Sequence, residues 1–362
     1  MKILHCADLH LDSKMMTHLT SAQAKTRKME ILHTFTRMVE YAAAHEIQII
    51  LIAGDLFDTR NVSATVRNQV YDMITTHPNI DFLYLKGNHD DDNFLSRLEA
   101  IPENLKLFKD EWTSYRYGNI TINGLELSEN NQATYANSLL LDTDTFNIVT
   151  LHGQLTGYTV KKDAANISLA ALKNHHIDYL ALGHVHEYSF GQLDARGYYC
   201  YPGCLEGRGF DECDEHGFIV IDINEESLRP SYSFVPIAYR TIYTVPVDVT
   251  DVYTTHEASE RIEQTIAKGD YSSKSLVRFV LTGNVDVNYD INTHFLEEHF
   301  ASYFFYEQVV DETTLQLDYQ DFEKDASLKG EFIRMVLGSG LDEGRKNKII
   351  RCGIDALMGE EN

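Results

Sequence analysis

Short apolar runs recur through the first half of the chain, and each ends on a side chain able to bind a metal ion. The run at residues 49–53 is the clearest, because it is short, β-branched and closed by Gly54 and Asp55, as in a buried strand of a parallel sheet. Parallel strands bring the residues beyond their carboxyl ends to one crevice. The pattern therefore predicts five strands side by side, with these candidate ligands at a shared rim: Asp8 and His10 after 3–4, Asp55 after 49–53, Asn88 and His89 after 82–85, His152 after 148–151, and His184 and His186 after 179–182.

Helical spacing separates these strands. Apolar positions predict a helix over residues 21–44 and a second over 62–77, which Pro78 ends, and a short helix is predicted at 93–100. Short alternating runs at 105–127 indicate antiparallel strands. Strands near 198–201 and 217–223 complete an α/β domain that we place at residues 1–236.

A second, smaller unit follows. Strands at 241–249, 275–285 and 304–312 alternate with helices at 255–268 and 293–303, which predicts a small α+β cap over residues 237–321. The tail, 322–362, contains helical patterns at 329–337 and 342–358. Its last segment has apolar residues at helical spacing and a basic cluster, so it either packs on its own domain or docks a partner.

Composition limits the functions that are possible. The chain has 362 residues, 43% of them hydrophobic, which is enough for a large core and for two domains. Its 55 acidic and 31 basic residues give a formal net charge of −24, which argues against a protein that coats nucleic acid. A nuclease is still possible, because bound divalent cations supply local positive charge.

Cysteine usage and hydropathy indicate a compartment. The five cysteines are scattered, without a C-x-x-C pair, as in a reduced cytosolic protein. We expect no cleavable signal peptide and no membrane span, because the chain opens on a strand and its apolar runs are short. The prediction is a cytoplasmic protein.

The candidate ligands combine carboxylate, amide oxygen and imidazole. This mixture suits Mn²⁺, Fe²⁺, Zn²⁺ or Co²⁺. Two cations about 3.5–4 Å apart need a shared ligand, and Asp55 is the central candidate for such a bridge. Side chains at i and i+2 project to the same side, so Asp8 with His10 can reach one centre or two adjacent ones.

Each fragment also has a simpler interpretation. A single histidine such as His152 is more often a hydrogen-bonded core or surface residue than a ligand, and Asn88 and Asp90 alone are most simply turn formers. The five fragments in this order, each at the exit of a predicted strand, favour one shared metal site.

The motifs and their order resemble the calcineurin-like metallophosphoesterase superfamily. They are Asp8-Leu9-His10, Gly54-Asp55-Leu56-Phe57-Asp58, Gly87-Asn88-His89-Asp90, Leu151-His152-Gly153 and Gly183-His184-Val185-His186. Residues 5–12 and 54–58 and the phrase Tyr201-Pro202-Gly203 are similar to the DNA-repair exonuclease branch, which contains the nuclease subunits of SbcCD-type complexes. The resemblance implies an α/β fold, a metallophosphoesterase β-sandwich flanked by helices.

The resemblance also implies a role for each motif residue. The implied ligands are Asp8, His10, Asp55 and His186 for a first metal ion, and Asp55, Asn88, His152 and His184 for a second. Mn²⁺ is the expected cation, with Fe²⁺, Zn²⁺ or Co²⁺ as alternatives. His89 would protonate the leaving alkoxide, and a carboxylate, Asp58 or Asp90, would hold it charged.

Other residues are candidates for substrate contacts. Arg208, between glycines near the site, could contact a phosphate or could belong to a plain turn. Tyr201 and Phe57 could stack on a base, although packing in a core is the more common role of an aromatic ring. Cys204 stands where the nuclease branch usually carries serine, which puts a hydroxyl contact in doubt and favours a small buried thiol.

We therefore predict a two-metal phosphodiesterase that acts on DNA, as an exonuclease or a single-strand endonuclease. One alternative is a phosphatase or small-molecule phosphodiesterase on the same metals. The acidic composition slightly favours it, whereas the cap and the nuclease-like motifs argue against it. Another is a scaffold without metal, which the complete ligand set argues against. The resemblance further implies a homodimer through the helices at 62–77 and 93–100, and a coiled-coil ATPase partner on the tail.

Overall fold

The computed structural model describes residues 1–15, 19–58, 62–91, 93–98, 100–156, 165–286, 289–315 and 325–358. The chain forms two compact units, Met1–Thr241 and Ile242–Asn362. The junction lies shortly after residue 236, where the sequence predicted the first domain to end. The predicted tail at 322–362 falls within the second unit, and its residues 322–324 and 359–362 lie outside the described residues.

The first unit alternates strands with helices. Its strands are β1 (Lys2–Cys6), β2 (Ile49–Ala53), β3 (Asp81–Leu85), β4 (Leu105–Leu107), β5 (Thr113–Tyr117), β6 (Ile120–Gly124), β7 (Phe146–His152), β8 (Gln154–Leu155), β9 (Asn166–Ile167), β10 (Tyr179–Gly183), β11 (Ser189–Gln192), β12 (Tyr198–Tyr201), β13 (Gly217–Ile223) and β14 (Pro230–Pro236). Its helices are α1 (Ser21–Ala44), α2 (Ala64–Thr75), α3 (Asn93–Ser96) and α4 (Leu169–Leu172). The bounds of α1 are as predicted, whereas α2 and α3 are shorter than predicted.

Two six-stranded sheets form the body of this unit, in the orders β14-β13-β1-β2-β3-β4 and β11-β12-β10-β7-β6-β5. Apolar side chains from β1, β2 and β3 share one buried cluster with those of β6, β7 and β10, so the sheets pack face to face. Helices α1 and α2 cover the other face of the first sheet, where Phe35 and Val70 are buried with Ile50. The predicted sandwich flanked by helices is confirmed.

The five ligand-bearing strands are not neighbours in one sheet, and that prediction is wrong. β1, β2 and β3 are parallel neighbours in the first sheet, while β7 and β10 are parallel neighbours in the second. A strand buried on both faces is apolar throughout, so its sequence does not indicate which sheet it joins. Because the residues that follow these strands converge, the shared rim is built from the ends of two sheets.

The predicted antiparallel region at 105–127 is confirmed in part. β5 and β6 form an antiparallel hairpin, with Thr113 opposite Gly124. β4 instead runs parallel to β3, with Leu105 opposite Phe82, and extends the first sheet. The segment therefore crosses from one sheet to the other.

Helix α1 begins at a capping box, which explains its sharp start. The Thr20 side chain accepts from the backbone N–H of Gln23, and the Gln23 side chain accepts from that of Thr20. One face of the helix, which includes Leu32, Phe35 and Met38, is then buried against the sheet. The capping residues and the apolar face both favour a helix here, so two independent features of the sequence specify it.

The second unit is a small parallel sheet with helices. Its strands are β15 (Ile242–Asp248), β16 (Leu276–Thr282), β17 (Asn284–Val285), β18 (Tyr306–Asp311) and β19 (Thr314–Leu315), and its helices are α5 (Thr255–Lys268), α6 (Thr293–Phe300), α7 (Leu328–Leu337) and α8 (Glu343–Met358). β15, β16 and β18 pair in parallel in that order.

Both tail helices contribute to the core of this unit. Ile333 of α7 and Ile350 of α8 lie in the same buried cluster as Phe279 of β16. The tail therefore packs on its own unit, which is the simpler of the two predicted roles. Two large apolar side chains of α7, Leu328 and Met335, remain exposed.

Two further features concern the helices and the cysteines. Within the residues that the structure describes, no helix combines the length and the apolarity required to cross a bilayer. The five cysteines are free thiols, and Cys6, Cys200 and Cys204 are buried, where they pack as small apolar side chains.

A buried ion pair anchors the loop at residues 204–210 to α1. Arg27 is 1% exposed and donates from Nη1 to Glu206 Oε1 over 3.0 Å. Thr34 donates to the other Glu206 oxygen over 2.8 Å. We expect Glu206→Ala to lower the free energy of unfolding of the first unit by about 3 kcal/mol, because Arg27 would stay buried with Glu30 as its remaining carboxylate partner.

Urea denaturation would measure this change. Trp112, the single tryptophan of the chain, lies in the first unit and reports its unfolding by fluorescence. Glu225→Ala is the matched control, because it removes the same side chain from a position where it is 66% exposed, and it should change the free energy by less than about 1 kcal/mol. Equal unfolding midpoints for the two variants would contradict the prediction.

Candidate metal centre and active site

The predicted ligands converge at one edge of the sandwich. Two groups of their donor atoms, one from Asp8, His10 and His186 and one from Asp55, His152 and His184, each lie within 4.8 Å of one another and could hold a cation. We call Asp8, His10 and His186 the first half-site, and Asn88, His152 and His184 the second half-site, with Asp55 between them. His10 Nε2 lies 3.1 Å from His186 Nε2 in the first. In the second, Asn88 Oδ1 lies 3.1 Å from His152 Nε2 and 3.1 Å from His184 Nδ1.

Asp55 faces both half-sites. Its Oδ1 accepts the backbone N–H of His89 over 2.9 Å, which fixes the orientation of the carboxylate. Its Oδ2 lies 3.3 Å from His152 Nε2 and 3.8 Å from His10 Nε2. One oxygen thus faces a ring nitrogen of each half-site, which is the arrangement that a bridging carboxylate requires.

Strained backbone directs these side chains out of the sheets. The φ angle is 53° at Asp8, 45° at His10, 52° at Asp55 and 100° at His184. Residues other than glycine rarely adopt such angles, which cost on the order of 1–3 kcal/mol each. Hydrogen bonds hold the conformation, for example from the backbone N–H of His184 to Asp8 Oδ2 over 2.9 Å. The strained residues therefore lie where the candidate ligands follow the ends of their strands.

Two glycines of the motifs are required by close approach. A Cβ at Gly87 would overlap the carboxylate of Asp55, and a Cβ at Gly183 would overlap the carbonyl oxygen of Ala53. Gly87 therefore allows the loops after the neighbouring strands β2 and β3 to approach each other, and Gly183 allows the ends of β10 and β2, from different sheets, to meet at the site.

Buried charges set the protonation of the centre. Burial opposes ionisation of Asp55, but His152 and His10 outweigh it and hold the pKa of Asp55 well below its usual range. Burial alone would lower the pKa of His152, but the Asp55 carboxylate outweighs burial and raises that pKa to about 9. For Asp8 burial is the largest influence, and its pKa is raised. Cations that bind here must displace protons.

Cation affinity should therefore fall as the pH falls. In the cation-free protein His152 is protonated below about pH 9, and a protonated ring cannot bind a metal ion. Below this pKa, the apparent affinity should fall about tenfold for each unit by which the pH is lowered, because each cation must displace one proton. Calorimetric titration of Mn²⁺ at neutral pH, in two buffers of different ionisation enthalpy, would count the protons released. Binding without proton release would contradict the prediction.

His89 lies at the open side of the centre. Its side chain is 45% exposed, and its Nδ1 lies 4.0 Å from Asp58 Oδ1. The same Asp58 oxygen lies 3.1 Å from His10 Nδ1 and 3.1 Å from Arg208 Nη1. Burial opposes ionisation of Asp58, but His10 and Arg208 lower its pKa to about 2. Asp58 is therefore anionic, and it contacts His10 more closely than His89.

Asp90, the alternative partner of His89, has a different role. Its carboxylate accepts the backbone N–H groups of Leu56 over 3.2 Å, of Phe57 over 3.0 Å and of Gly87 over 3.0 Å. Asp90 thus ties the loop after β2 to the loop after β3.

Tyr201 and Phe57 have the second of the two roles considered for them, packing in the core. Tyr201 is 1% exposed, and its hydroxyl donates to the carbonyl oxygen of Gly153 over 2.8 Å and accepts from the backbone N–H of Leu155 over 3.1 Å. Phe57 is also buried, and its ring packs on Phe94. Because both rings are enclosed by the core, neither can stack on a base.

Arg208 does not extend towards a substrate either. Its Nη1 donates to Asp58, and its Nη2 donates to Glu212 Oε1 over 2.8 Å. Because two carboxylates occupy the guanidinium, the predicted direct contact with a phosphate is not supported. Cys204 is the small buried thiol that was expected, with Sγ 3.2 Å from His216 Nδ1.

Sequence reasoning missed Glu212. Its Oε1 lies 2.6 Å from His186 Nδ1, which places it directly behind a candidate ligand. Burial opposes its ionisation, but His186 and Arg208 hold its pKa well below the usual range. The one available signal was the spacing of four residues from Arg208, which outside a helix does not indicate a contact.

The ligand set fits a pair of divalent cations. It offers carboxylate, amide oxygen and imidazole donors, as first-row divalent metals prefer. Nδ1 of His10 lies beside Asp58 and Nδ1 of His186 beside Glu212, so a proton on that nitrogen of each ring faces a carboxylate. Their two Nε2 lone pairs then point at each other across 3.1 Å, which is repulsive unless a cation binds between or beside them.

The chain is similar to several known proteins. One similar solved structure, TT1561 of Thermus thermophilus, is 12% identical with a TM-score of 0.40, over 64% of this chain and 98% of that one. The chain is 26% identical over 298 residues to the uncharacterized metallophosphoesterase YhaO of Bacillus subtilis (strain 168), covering 77% of this chain and 71% of that protein. It is also 26% identical over 283 residues to the DNA double-strand break repair protein Mre11 of Aeropyrum pernix, covering 72% of this chain and 66% of that protein. The sequence profile of the calcineurin-like phosphoesterase family matches residues 1–188, so the chain belongs to this family.

Proposed function

We propose that the protein is a two-cation phosphodiesterase that cleaves DNA, as an exonuclease or a single-strand endonuclease in DNA repair or end processing. Family membership supports hydrolysis of phosphoester bonds at a binuclear metal site. The observation that carries the proposal is Asp55, whose Oδ2 faces a nitrogen of each half-site. DNA as the substrate is supported by the similarity to the repair protein of Aeropyrum pernix.

In this proposal the two half-sites hold the cations, with Asp55 as the shared ligand. When bound, the cations would neutralise the phosphodiester and lower the pKa of the attacking water. Asp8, His10 and His186 would hold one of them, and Asn88, His152 and His184 the other. The mixed oxygen and nitrogen donors favour Mn²⁺, with Fe²⁺, Zn²⁺ and Co²⁺ as alternatives.

His89 would supply the proton for the leaving oxygen. Its exposed imidazole lies beside the half-sites without belonging to either, so a bound phosphodiester can reach it. The anionic Asp58 is the nearest carboxylate to the ring in this arrangement, with Oδ1 4.0 Å from His89 Nδ1. Proton transfer to an alkoxide is the step at which a general acid contributes most.

Paired oligonucleotides labelled at the 5′ or the 3′ end test the proposal. We expect Mn²⁺-dependent shortening that a chelator abolishes, and the label that survives longer gives the polarity of digestion. Hydrolysis of bis-p-nitrophenyl phosphate without cleavage of any oligonucleotide would refute DNA as the substrate while leaving the reaction class intact.

That last outcome would favour a second candidate, a phosphatase or small-molecule phosphodiesterase on the same centre. One observation supports it. Asp211, Asp214 and Glu215 line a cavity that also contacts His186. A wall of carboxylates repels a polyanion more than it repels a small phosphoester. A panel of nucleotides and cyclic nucleotides would identify such a substrate.

A homodimer is a further part of the proposal, with α2 and α3 as its interface. This part is supported by the family resemblance of the motifs alone. Light scattering after gel filtration at micromolar concentration should give twice the monomer mass, and a monomer throughout that range would remove it.

The last part of the proposal is a coiled-coil ATPase partner that docks on the tail, in the cytoplasm. Exposed Leu328 and Met335 on α7 support a docking surface, and the free cysteines suit a reducing compartment. Deletion of the tail is a poor test, because Ile333 and Ile350 belong to the core. The double variant Leu328→Ser with Met335→Ser should abolish co-purification with a co-expressed ATPase, and unchanged co-purification would remove this part.

A further inference from the structure

We propose that Arg208 and Glu212 are positioning residues of the metal centre. Together with Asp58 they form a carboxylate–guanidinium–carboxylate clamp that orients the two imidazoles of the first half-site. This inference rests on the cation centre of the proposed function, and it does not depend on DNA as the substrate.

Glu212 fixes the orientation and the tautomer of His186. The 2.6 Å contact between Glu212 Oε1 and His186 Nδ1 is short and charge-assisted. Arg208 Nη2 also lies 3.2 Å from that nitrogen, but a guanidinium can only donate. Since Nε2 must keep its lone pair to bind a cation, the proton is on Nδ1 and the hydrogen bond goes to Glu212. The ring is then directed at Asp8, with Nε2 3.9 Å from Asp8 Oδ1.

Asp58 is the corresponding carboxylate behind His10, through a close ion-pair contact rather than an aligned hydrogen bond. Its Oδ1 lies 3.1 Å from His10 Nδ1, so the opposite nitrogen, Nε2, faces the centre. Carboxylates behind metal-binding histidines commonly fix the ring and raise its basicity. Both imidazoles of the first half-site therefore have an anionic partner on the side away from the cation.

Arg208 joins the two carboxylates into one unit. Its Nη1 donates to Asp58 Oδ1 over 3.1 Å, and its Nη2 donates to Glu212 Oε1 over 2.8 Å. Its backbone N–H donates to Glu212 Oε2 over 2.7 Å. A planar guanidinium makes these contacts in a fixed geometry that a lysine ammonium cannot reproduce. Arg208 thus sets the spacing between the two carboxylates, and through them the spacing of His10 and His186.

The loop that carries the clamp is itself held in place. His216 donates from Nε2 to the carbonyl oxygen of Glu212 over 3.0 Å, and its Nδ1 accepts from the Cys204 thiol. The neighbouring Glu206 is anchored to Arg27 in the core. These contacts give the clamp a rigid base, as precise ligand placement requires.

The second half-site is supported differently. His152 Nδ1 donates to the backbone carbonyl oxygen of Ala53 over 2.9 Å, which no side-chain substitution removes. The clamp therefore acts on one of the two cation sites, and its loss should weaken one binding step selectively.

Two variants test this in the full-length protein. Glu212→Gln removes the negative charge beside His186 Nδ1. Arg208→Lys keeps a positive charge but removes the planar guanidinium that contacts both carboxylates. We expect each to weaken one of two Co²⁺ binding steps by about 10–100-fold, measured by calorimetry and by the visible absorption of bound Co²⁺. Arg196→Lys is the matched control, because Arg196 makes an equivalent two-pronged contact with Asp178 and should leave both steps unchanged.

The outcomes separate the clamp from the proposed function. Wild-type protein that binds fewer than two Co²⁺ ions would refute the binuclear centre itself. Wild type that binds two, with both variants unchanged or with both steps equally weakened, would overturn the clamp. Circular dichroism of the cation-free variants checks folding, and Arg208→Lys carries the test if Glu212→Gln does not fold.

Discussion

Asp55→Asn is expected to lower kcat/KM for phosphodiester hydrolysis by about 10³-fold or more, the largest loss among single substitutions at the centre. Asparagine has almost the same shape and can still accept the backbone N–H of His89 through its amide oxygen. It lacks the negative charge that faces His152 and His10. A neutral amide is a weak bridge between two dications, so the pair should no longer bind together.

The measurement combines activity with stoichiometry. Hydrolysis of bis-p-nitrophenyl phosphate gives kcat/KM, and calorimetry with Mn²⁺ gives the number of cations bound. Asp178→Asn is the control, because it makes the same change in a carboxylate that precedes β10 and pairs with Arg196. We expect the control to keep two cations and wild-type turnover.

The prediction also has a clear failure. Asp55→Asn protein that binds two cations and hydrolyses the substrate at nearly the wild-type rate would show that Asp55 does not bridge. The proposed reaction would then lack its central ligand, and the family resemblance alone would support it.

The positions of the candidate ligands could be predicted because they follow from local pattern. Each apolar run ends where its strand ends, and the polar residue at or just beyond that end lies at the crevice. The structure places Asp8, Asp55 and His152 at such exits. The sequence therefore predicts where the strands end. It does not predict which of the two sheets each strand joins, because that depends on packing between distant segments.

The contacts of polar and aromatic side chains could not be predicted in the same way. Residue type and a place near the motifs make Tyr201 and Arg208 candidates for substrate contacts, but they do not exclude core packing or a plain turn. In the structure the Tyr201 hydroxyl donates to a backbone carbonyl oxygen, and the Arg208 guanidinium donates to two carboxylates. Burial and partner choice are tertiary properties, and a single sequence carries no periodic signal for them. The left-handed backbone at Asp8 and His184 is equally a product of the surrounding contacts.

His89→Gln should separate the general acid from the ligands, because its effect depends on the leaving group. With an oligonucleotide, whose leaving alkoxide needs a proton, we expect kcat to fall by about 10²–10⁴-fold. With bis-p-nitrophenyl phosphate, whose phenolate leaves without protonation, the loss should be less than about tenfold. Glutamine cannot donate an acidic proton, but it fills a similar volume at this exposed position.

Cation binding distinguishes this role from the alternative that the geometry allows. His89 lies with His10 and Asp58 in a third group of close donor atoms, so it could instead be a ligand. A general acid predicts that His89→Gln still binds two Mn²⁺ ions and loses activity only on the poor leaving group. A ligand predicts a lost cation and an equal loss on both substrates. His33→Gln, at an exposed site on α1, controls for the loss of an imidazole and should change neither quantity. Asp58 lies closer to His10 and to Arg208 than to His89, so its carboxylate is already held by those two partners. The distances therefore favour His89 as a general acid over His89 as a ligand beside Asp58.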